Sequence, residues 1–402
     1  MKTVIRITCA VLAVLLLSGC NSQPAKGVQN TPTAPKGYYV YTGEESMFRG
    51  GKLDELMDLC EVLYIDETDR TSMEDAAAAA IIASLGDRWS YYIPKSAYQD
   101  FTEQMSNSYV GIGVTIRVRE DKAGLDIENV EKNGPAHEAG ILPGDIMVAV
   151  NGEKVADLGT EGTADIIRGE VGTTVEVTVN RDGEEITYTV YRSTIAIPVT
   201  EAQLLDGNVG LITIENFDAR CASETIACIE DMIEQGATSL IFDVRFNLCG
   251  YASEMVALLD YLLPEGDLLI TEDHQGNREV DTSDEKCLDM PMAVLVNGDS
   301  YSAAEFFASA LRDFEWATLV GQQTVGKGYY QKNYMLSDGS SVQLSVGKYY
   351  TRSGINLEEV GGLTPDVVVE VDDETYVQLY YGNVEPKDDP QIQAAIKALK
   401  EQ

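Results

Sequence analysis

The sequence is poor in the side chain that most often serves acid–base and zinc chemistry. It has only two histidines, His137 and His274, among 402 residues. A zinc site or a Ser-His-Asp triad would have to use one of them. His137 lies in "GPAHEAGI" and His274 in a polar, loop-like segment, and these settings favour neither kind of site. The sequence therefore predicts no metal centre and no histidine-based hydrolase.

Cysteine is also too sparse for a disulfide scaffold. Of seven cysteines, Cys9 and Cys20 fall in the N-terminal segment. The other five form an odd set without a CxxC pair, which does not suggest a stapled fold. They are Cys60, Cys221, Cys228, Cys249 and Cys287.

Positive charge is scarce, with 29 Lys and Arg against 66 Asp and Glu and a formal net charge of -37. This balance disfavours a nucleic-acid partner, and it would repel an anionic lipid surface. A solvated acidic surface accounts for it. A link to a membrane would therefore have to come from an anchor.

Long apolar runs are missing except near the N-terminus. Lys2 and Arg6 precede the apolar residues 11–17, a run too short to span a bilayer and typical of an export signal. The closing "LSGC" resembles a bacterial lipobox, in which Cys20 is lipidated and becomes the first mature residue. An ordinary signal peptide with a chance cysteine is the alternative. Residues 21–37 are polar and proline-rich, as in a flexible tether.

The segment "GQQTVGKGYYQ", residues 321–331, has the glycine spacing of a phosphate-binding loop around Lys327. Such a loop needs a hydroxyl after the lysine to hold Mg²⁺, and here that position is Gly328. An exported protein also meets little ATP. Nucleotide binding remains an alternative, and a titration that detects no bound nucleotide would exclude it. The role of Lys327 then needs another explanation.

Hydrophobic periodicity divides the chain into three regions. Helical spacing runs from about 45 to 104, in "LDELMDLCEVLY" and in "SMEDAAAAAIIASL", with Thr71 or Ser72 as the cap. Short β-type runs follow to about 195, with one helix near "TEGTADIIR" and a hairpin turning at Asp182-Gly183. From about 196 strands alternate with helices, which predicts an α/β layer with a largely parallel sheet.

Three strand ends in this last region carry suggestive residues. "SLIFDVR" is followed by Gly250 in "FNLCGY", "PMAVLVN" by Ser302 in "GDSYSAAE", and "ATLVG" by Lys327. A lysine of lowered pKa can activate a serine as a nucleophile, and a helix that begins after the serine can stabilise an oxyanion. Taken singly, the serine also fits an N-cap and the lysine a solvated turn.

The string "NGDSYSAAEFFASALRDFEWATLVGQQTVGKGYYQ" resembles the active-site segment of the C-terminal processing peptidases, or tail-specific proteases. "LGDRWSYYIP", "YVGIGV" through "IIRGEVGTTVEVTV" and "GGLTPDVVVEV" extend the resemblance to the link, the PDZ domain and the closing strand of that family. In the family the nucleophile lies three residues before the glutamate of its serine-rich run and 25 before the lysine. Both rules select Ser302, and a glutamine four residues after Lys327 is matched by Gln331.

The resemblance implies Ser302 as nucleophile, Lys327 as base and then acid, and Gln331 as the residue that orients Lys327. It implies the backbone N–H groups of Gly250 and Ala303 as oxyanion donors, and no metal, nucleotide or other cofactor. Arg168 matches an arginine that couples the PDZ domain to the protease site. The substrate's C-terminal tail would bind to the PDZ segment Tyr109, Val110, Gly111, Ile112, Gly113 and Val114.

The family also implies a multidomain α/β architecture: a helical N-terminal region, a PDZ domain and a crotonase-like α/β serine protease core. The expected boundaries are a signal peptide over 1–19, a lipidated cysteine and tether over 20–37, the helical region over 38–105, the PDZ domain over 106–195, the protease core over 196–380 and a C-terminal helix over 381–402. Some family members form homodimers through their terminal helices; the helix at the end of this chain fits that use or docking on its own chain.

Two departures from the family pattern concern the site. The oxyanion turn reads Asn247-Leu248-Cys249-Gly250 where the family has Asn-Pro-Gly-Gly, and Tyr301 and Ala304 replace small residues of the serine run. None of these changes removes a group that makes or breaks bonds. The sequence therefore predicts a lipid-anchored, extracytoplasmic serine endopeptidase for flexible C-terminal tails of exported proteins. The alternative is a catalytically weak or inactive PDZ scaffold that binds protein C-termini.

Overall fold

The computed structural model describes residues 51–119, 123–248 and 250–401. The expected signal peptide, Cys20, the tether and Cys249 lie outside the described residues. Within those ranges, no helix has the length and apolar character to cross a membrane. The chain divides into two units, residues 1–81 and residues 82–402, and each is described by itself.

The described part of the first unit is helical, as its periodicity predicts. Helix α1 spans Lys52–Leu63, and helix α2 spans Arg70–Ala83 and runs just past the boundary. The predicted cap of α2 is wrong by two or three residues. The carboxylate of Asp69 accepts the N–H groups of Thr71 (3.2 Å) and Ser72 (3.3 Å), because an aspartate can satisfy several free donors of a first turn.

The second unit holds the remaining elements, which follow in chain order: β1 (Tyr91–Ile93), α3 (Lys95–Met105), β2 (Ser108–Gly111), β3 (Val114–Val118), β4 (Leu125–Val130), α4 (Pro135–Ala139), β5 (Ile146–Val150), β6 (Glu153–Lys154), α5 (Val155–Ile167), β7 (Thr174–Arg181), β8 (Glu184–Tyr191), β9 (Ser193–Ala196), β10 (Thr200–Leu205), β11 (Val209–Ile214), α6 (Cys221–Glu234), β12 (Ser239–Asp243), α7 (Ala252–Leu262), β13 (Gly266–Asp273), β14 (Arg278–Ser283), β15 (Met292–Val296), α8 (Ala303–Asp313), β16 (Ala317–Gly321), β17 (Tyr329–Met335), β18 (Ser341–Thr351), α9 (Leu357–Val360), β19 (Val367–Val368), α10 (Asp373–Tyr380) and α11 (Pro390–Leu399).

A small antiparallel sheet in the order β3-β4-β5-β7-β8 forms one core, with β6 paired to β5. Alternate side chains of its strands are buried, among them Met147, Val177 and Val179. The predicted hairpin joins β7 to β8 and turns at Asp182 (φ 54°) and Gly183 (φ 91°), as a tight hairpin turn requires. Strand β3 pairs with β4 alone among the named strands, so its other side is a sheet edge.

The predicted parallel sheet forms the second core, in the order β10-β11-β12-β15-β16-β19. Its neighbours from β11 to β19 run parallel, and β10 is antiparallel at one edge. Leu240 and Phe242 of β12 pack with α6, α7 and α8, whereas Ile241 between them packs with α11. Because helices cover both faces, β12 and β15 are buried along their whole length.

A third sheet is antiparallel, in the order β1-β18-β13-β14 with β17 also paired to β18, and it was not predicted. Its strands alternate polar and apolar residues weakly, and β17 is largely exposed. Strand β1 joins it by pairing Tyr91 to Gln343 and Ile93 to Ser341. This pairing places the segment "GDRWS" that precedes β1 beside this sheet.

Helix α11 settles against the parallel sheet of its own chain. Ile392, Ala395 and Leu399 are buried with residues of β12, β15 and β16. Its apolar face is therefore used within the chain, which matches the docked reading of the C-terminal helix.

Candidate active site

The three strand ends singled out in the sequence meet at one edge of the parallel sheet. Gly250 follows β12, Ser302 follows β15 and Lys327 follows β16, and these strands are adjacent and parallel. Carboxyl ends of neighbouring parallel strands lie side by side, which is where such sheets place functional groups. The topology thus brings the three residues together.

Ser302 lies in a sharp turn between β15 and α8. It is the N-cap of α8, with φ 60° and ψ -122°, a conformation that a non-glycine residue adopts only when its surroundings impose it. The residue is 7% exposed. A serine on a strained strand-to-helix turn points its hydroxyl away from the sheet and sits at the positive end of the helix.

The carboxylate of Glu305, one turn into α8, imposes this conformation. It is fully buried and accepts four hydrogen bonds. Oε2 accepts the N–H groups of Ser302 (2.9 Å) and Lys327 (2.8 Å), and Oε1 accepts the N–H of Gly326 (2.7 Å) and the hydroxyl of Thr324 (2.5 Å). Burial raises the pKa of Glu305, and these hydrogen bonds act in the opposite direction.

One carboxylate oxygen therefore ties the main chain of Ser302 to that of Lys327. The same contacts explain the glycine-lysine motif without a nucleotide. In a nucleotide-binding loop the N–H groups of Gly326 and Lys327 would face a phosphate. Here both donate hydrogen bonds to the carboxylate of Glu305. Gly326 itself has φ 83°, and a Cβ there would lie 2.6 Å from the nitrogen of Gly362.

Gly250 is the proposed oxyanion donor, and its position accepts no side chain. Its φ is 156°, and a Cβ would lie 2.2 Å from the carbonyl carbon of Phe217, to which Gly250 is bridged. Leu248 is half exposed. The carbonyl of Asn247 accepts the N–H of Tyr301 (3.2 Å), so the oxyanion turn and the turn before Ser302 are joined.

The side chain of Lys327 is buried, with 6% exposure, and it lies among aromatic rings. Its Nζ is 4.6 Å from the centroid of Trp89 and 5.6 Å from that of Tyr301. Those two rings are 5.4 Å apart. The charge of Lys327 also acts on the carboxyl of Asp87. Sequence reasoning missed Trp89 and Asp87, although both stand in the "LGDRWSYYIP" segment that resembles the family.

Gln331 reaches the same segment through Ser345. Its Nε2 donates to Ser345 Oγ (3.0 Å) and to the carbonyl of Tyr329 (3.2 Å). The β17–β18 register shifts just before Gln331, and such a bulge re-aims a side chain. Burial raises the pKa of Asp87, and a side-chain hydrogen bond with Ser345 is the first of the effects that leave it lowered, so Ser345 links Gln331 to the carboxyl near Lys327.

Two cavities adjoin these residues. One of about 10 Å³ lies directly against Ser302 and is lined by Gly250, Ala252, Met255, Leu269, Ser302, Ala303, Phe306 and Tyr349. The other, about 810 Å³, is bordered by the segment 85–90, by residues 272–274 and by residues 344–348. Trp89 and Ser345 line this larger cavity, so it extends from the surroundings of Lys327 and Gln331.

The residues expected to bind a C-terminal tail are split between two elements. Tyr109, Val110 and Gly111 lie in β2, whose partner is β9. Ile112 is buried in the core of the small sheet, Gly113 has φ 76°, and Val114 begins the edge strand β3. Arg168 is the exposed C-cap of α5. Burial and the charge of Glu131 raise the pKa of Tyr109, and the charge of Arg168 opposes them.

Comparison with known proteins identifies the class of this protein as a serine peptidase core that carries a PDZ domain. The family model for peptidase family S41 matches residues 208–369, and the model for the PDZ domain matches residues 110–191. The chain is 32% identical to the carboxy-terminal processing protease CtpA of Bacillus subtilis (strain 168) over 346 residues, which cover 84% of this chain and 73% of that protein. It is 30% identical to the carboxyl-terminal-processing protease of Synechocystis sp. over 330 residues, 80% of this chain and 76% of that protein.

Among solved structures, the photosystem II D1 C-terminal processing protease matches with 26% identity and a TM-score of 0.46, over 79% of this chain and 86% of that one. The chain belongs to peptidase family S41, within the carboxy-terminal processing proteases. The expected family and fold class are thereby confirmed, and the individual site roles and domain boundaries stay predictions.

Proposed function

We propose that this protein is a lipid-anchored serine endopeptidase that captures C-terminal tails of exported proteins and cuts them with Ser302 and Lys327. The observation that carries the proposal is the buried Glu305 carboxylate, which bonds the N–H groups of both residues through one oxygen. Membership of the carboxy-terminal processing proteases supports the reaction class. The reaction uses the residues of the chain alone.

In the acylation step, Ser302 Oγ attacks the scissile carbonyl while neutral Lys327 Nζ takes its proton. The N–H groups of Gly250 and Ala303 stabilise the oxyanion of the tetrahedral intermediate, aided by the N-terminus of α8. Lys327 then gives its proton to the leaving amine, and the new C-terminal half of the substrate leaves. The other half stays as an ester on Ser302.

In deacylation, water attacks the ester and gives a proton to Lys327. Ser302 Oγ regains that proton as it leaves, and the free carboxylate product departs. Gln331 orients Lys327 in this scheme. It would do so from β17 while its amide is held by Ser345.

Capture of the tail belongs to the small sheet. A peptide strand can add to the edge strand β3, and main-chain hydrogen bonds there supply affinity without strict sequence demands. The N–H groups around Ile112 and Gly113 would hold the terminal carboxylate, and Arg168 would relay occupancy to the protease core. The cavity of about 810 Å³ beside Trp89 offers room for an extended substrate segment.

The N-terminal segment supports a proposal for the location of the protein. A lipid on Cys20 would fix the protein to the outer side of the cytoplasmic membrane, with residues 21–37 as the tether. Its partners would be flexible tails of exported proteins. Dimer formation is part of the proposal only through the N-terminal helices, since the apolar face of α11 is used within the chain.

The test is cleavage of an unfolded protein with an apolar C-terminal tail by the full-length chain in detergent, with product ends read by mass spectrometry. Ser302→Ala and Lys327→Ala should each abolish cleavage. Lys332→Ala, an exposed lysine on the same segment, is the matched control and should retain it.

Full proteolysis by Ser302→Ala would refute the proposal. Binding of the tail by every form without any product would instead favour the scaffold, and the Leu248-Cys249 turn would be the first place to examine. The Cys20→Ala variant tests the lipid anchor in fractionated cells. If this variant still cleaves the substrate but no longer attaches to the membrane, the anchor is supported; unchanged attachment would exclude it.

A further inference from the structure

The surroundings of the Lys327 ammonium group are those of a cation-binding seat. We propose that Trp89, Tyr301 and Asp87 form this cation-binding seat. They stabilise the charged form of Lys327 and so act as positioning residues for the base of the reaction. The inference rests on the proposed function, because it concerns the base of that reaction. Trp89 and Asp87 come from the segment before β1, far in sequence from the protease motifs.

The aromatic half of the seat rests on two ring faces. Nζ lies 4.6 Å from the centroid of Trp89, and 5.6 Å from that of Tyr301. A cation within about 6 Å of a ring centroid is attracted by the negative face of the ring, most strongly for tryptophan. This attraction acts on the ammonium and not on the neutral amine, so it favours the charged form.

The anionic half is Asp87, which is fixed in the same turn as Trp89. Its Oδ1 accepts the N–H of Trp89 (2.9 Å), and its Oδ2 accepts the hydroxyl of Ser90 (2.6 Å). Burial raises the pKa of Asp87, but hydrogen bonds and the charge of Lys327 outweigh it and leave the pKa lowered. The group is therefore a carboxylate at neutral pH, and ring and charge act as one unit.

Other charged groups reach the same place. Glu305 accepts the main-chain N–H of Lys327 and adds negative charge from α8. The guanidinium of Arg88 stacks on Trp89 at 4.2 Å from its centroid and opposes a second cation there. Burial of Lys327 also opposes charge. The seat contributes two attractions for the ammonium group, the ring face of Trp89 and the negative charge of Asp87. A substitution can remove either one without the other.

A charged Lys327 cannot accept the proton of Ser302. The ammonium must first lose a proton to solvent before its Nζ can accept the proton of the Ser302 hydroxyl. Activity then rises with pH along the titration of Lys327 in its seat. Weakening the seat makes the neutral amine available at lower pH.

The experiment is the pH dependence of kcat/KM for a tail peptide, measured with full-length protein in detergent between about pH 5 and pH 10. Trp89→Leu keeps apolar volume but removes the ring face, and Asp87→Asn keeps an acceptor in the turn but removes the charge. Each should move the acidic limb to lower pH, by about one unit for Asp87→Asn. Activity at pH 6 should rise accordingly.

Matched controls separate the charge effect from damage to the fold. Asp338→Asn removes a carboxylate from an equivalent turn, where Asp338 Oδ1 accepts the N–H (3.0 Å) and hydroxyl (2.7 Å) of Ser340. Trp316→Leu removes the other tryptophan of the chain. Both control variants should leave the acidic limb of the kcat/KM profile unmoved. Trp89→Phe, which keeps a ring face, should retain most of the wild-type pH profile. The pH dependence of Ser302 labelling by a fluorophosphonate gives the same readout for a variant of low turnover.

The proposal that this seat stabilises the charged form of Lys327 would be overturned if the acidic limb stays in place, or moves to higher pH, in both Trp89→Leu and Asp87→Asn. That result differs from failure of the proposed function. If the wild-type chain shows no activity that depends on Lys327, the peptidase mechanism itself is wrong.

Discussion

Glu305 joins the main chain of Ser302 to that of Lys327, although it has no part in the proposed bond-making steps. Its two oxygens accept the N–H groups of Ser302, Gly326 and Lys327 and one hydroxyl. A glutamate at the third helical position commonly bonds its own N-cap residue. Here the same carboxylate also holds the loop that carries the lysine, so helix capping and active-site assembly are one interaction.

We expect Glu305→Gln to lower kcat/KM by about 100-fold, because an amide has one acceptor oxygen in place of two and the nucleophile turn will shift. The loss should fall on kcat, with tail binding unchanged. Glu224→Gln is the matched control, since Glu224 also accepts a main-chain N–H, that of Val199 (2.9 Å), at the start of another helix. Equal losses in the two variants would contradict a specific role for Glu305.

We expect the cavity of about 10 Å³ beside Ser302 to set the size of the side chain that can precede the cleaved bond. Met255, Leu269 and Phe306 border it, so alanine or serine should fit and leucine should not. Leu269→Ala should enlarge it and raise kcat/KM for leucine relative to alanine by about 10-fold or more. Peptides that differ only at this position provide the measurement.

A wild-type enzyme that cuts equally well after alanine and leucine would show that the cavity does not define this specificity. Val280→Ala, an exposed apolar truncation on β14, is the control and should leave the ratio unchanged.

At the scale of elements, α11 braces the strand that leads to the oxyanion turn. Arg245, directly after β12, pairs with Asp243 (2.6 Å) and with Asp389 (2.9 Å), and it donates to Gln391 Oε1 (2.8 Å). Asp389 is also the N-cap of α11. The C-terminal helix therefore positions the residues before Gly250 from the far side of the sheet.

Asp389→Asn should keep the cap, because asparagine caps as well as aspartate, but remove one of the two partners of a buried guanidinium. We expect a loss of about 1–3 kcal/mol of stability, less than the cost of leaving a buried charge unpaired, since Asp243 remains. Urea unfolding measures it. Asp372→Asn is the control, because Asp372 caps α10 by accepting the N–H of Thr375. Similar midpoints for both variants would argue against the brace.

Prediction from sequence worked where local pattern and burial agree. Strands β12 and β15 are apolar throughout because both faces are covered, and their order along the chain places Gly250 and Ser302 at one edge. The antiparallel sheet around β18 gave no such signal. Pairing of residues 91–93 with 341–343 is a long-range contact that periodicity cannot show, and it is what brings Trp89 to Lys327.

At the scale of the whole molecule, carboxyl groups decide how stability depends on pH. Burial raises the pKa of Asp145, but bonds to Arg181 and to the N–H of Leu142 leave it lowered. Such a group stabilises the fold above its ordinary pKa, and the contribution is lost as pH falls. Asp218 has the opposite sign, since burial raises its pKa to about 7. Its contribution is present in acid and is lost as pH rises from about 4 to about 7.

Asp218→Asn should therefore flatten the pH dependence of stability. The side chain is 3% exposed, and within the described ranges its Oδ1 has no hydrogen-bond partner, so ionisation at high pH is costly. Between pH 5 and pH 8 the wild-type protein should lose roughly 2–3 kcal/mol more stability than the variant. Urea unfolding at the two pH values measures this, with the exposed Asp206→Asn as control.

Because Asp218 follows Phe217, the residue bridged to Gly250, ionisation would place charge next to the oxyanion turn. Identical pH dependence in the wild type and Asp218→Asn would show that folding does not raise the pKa of this carboxyl.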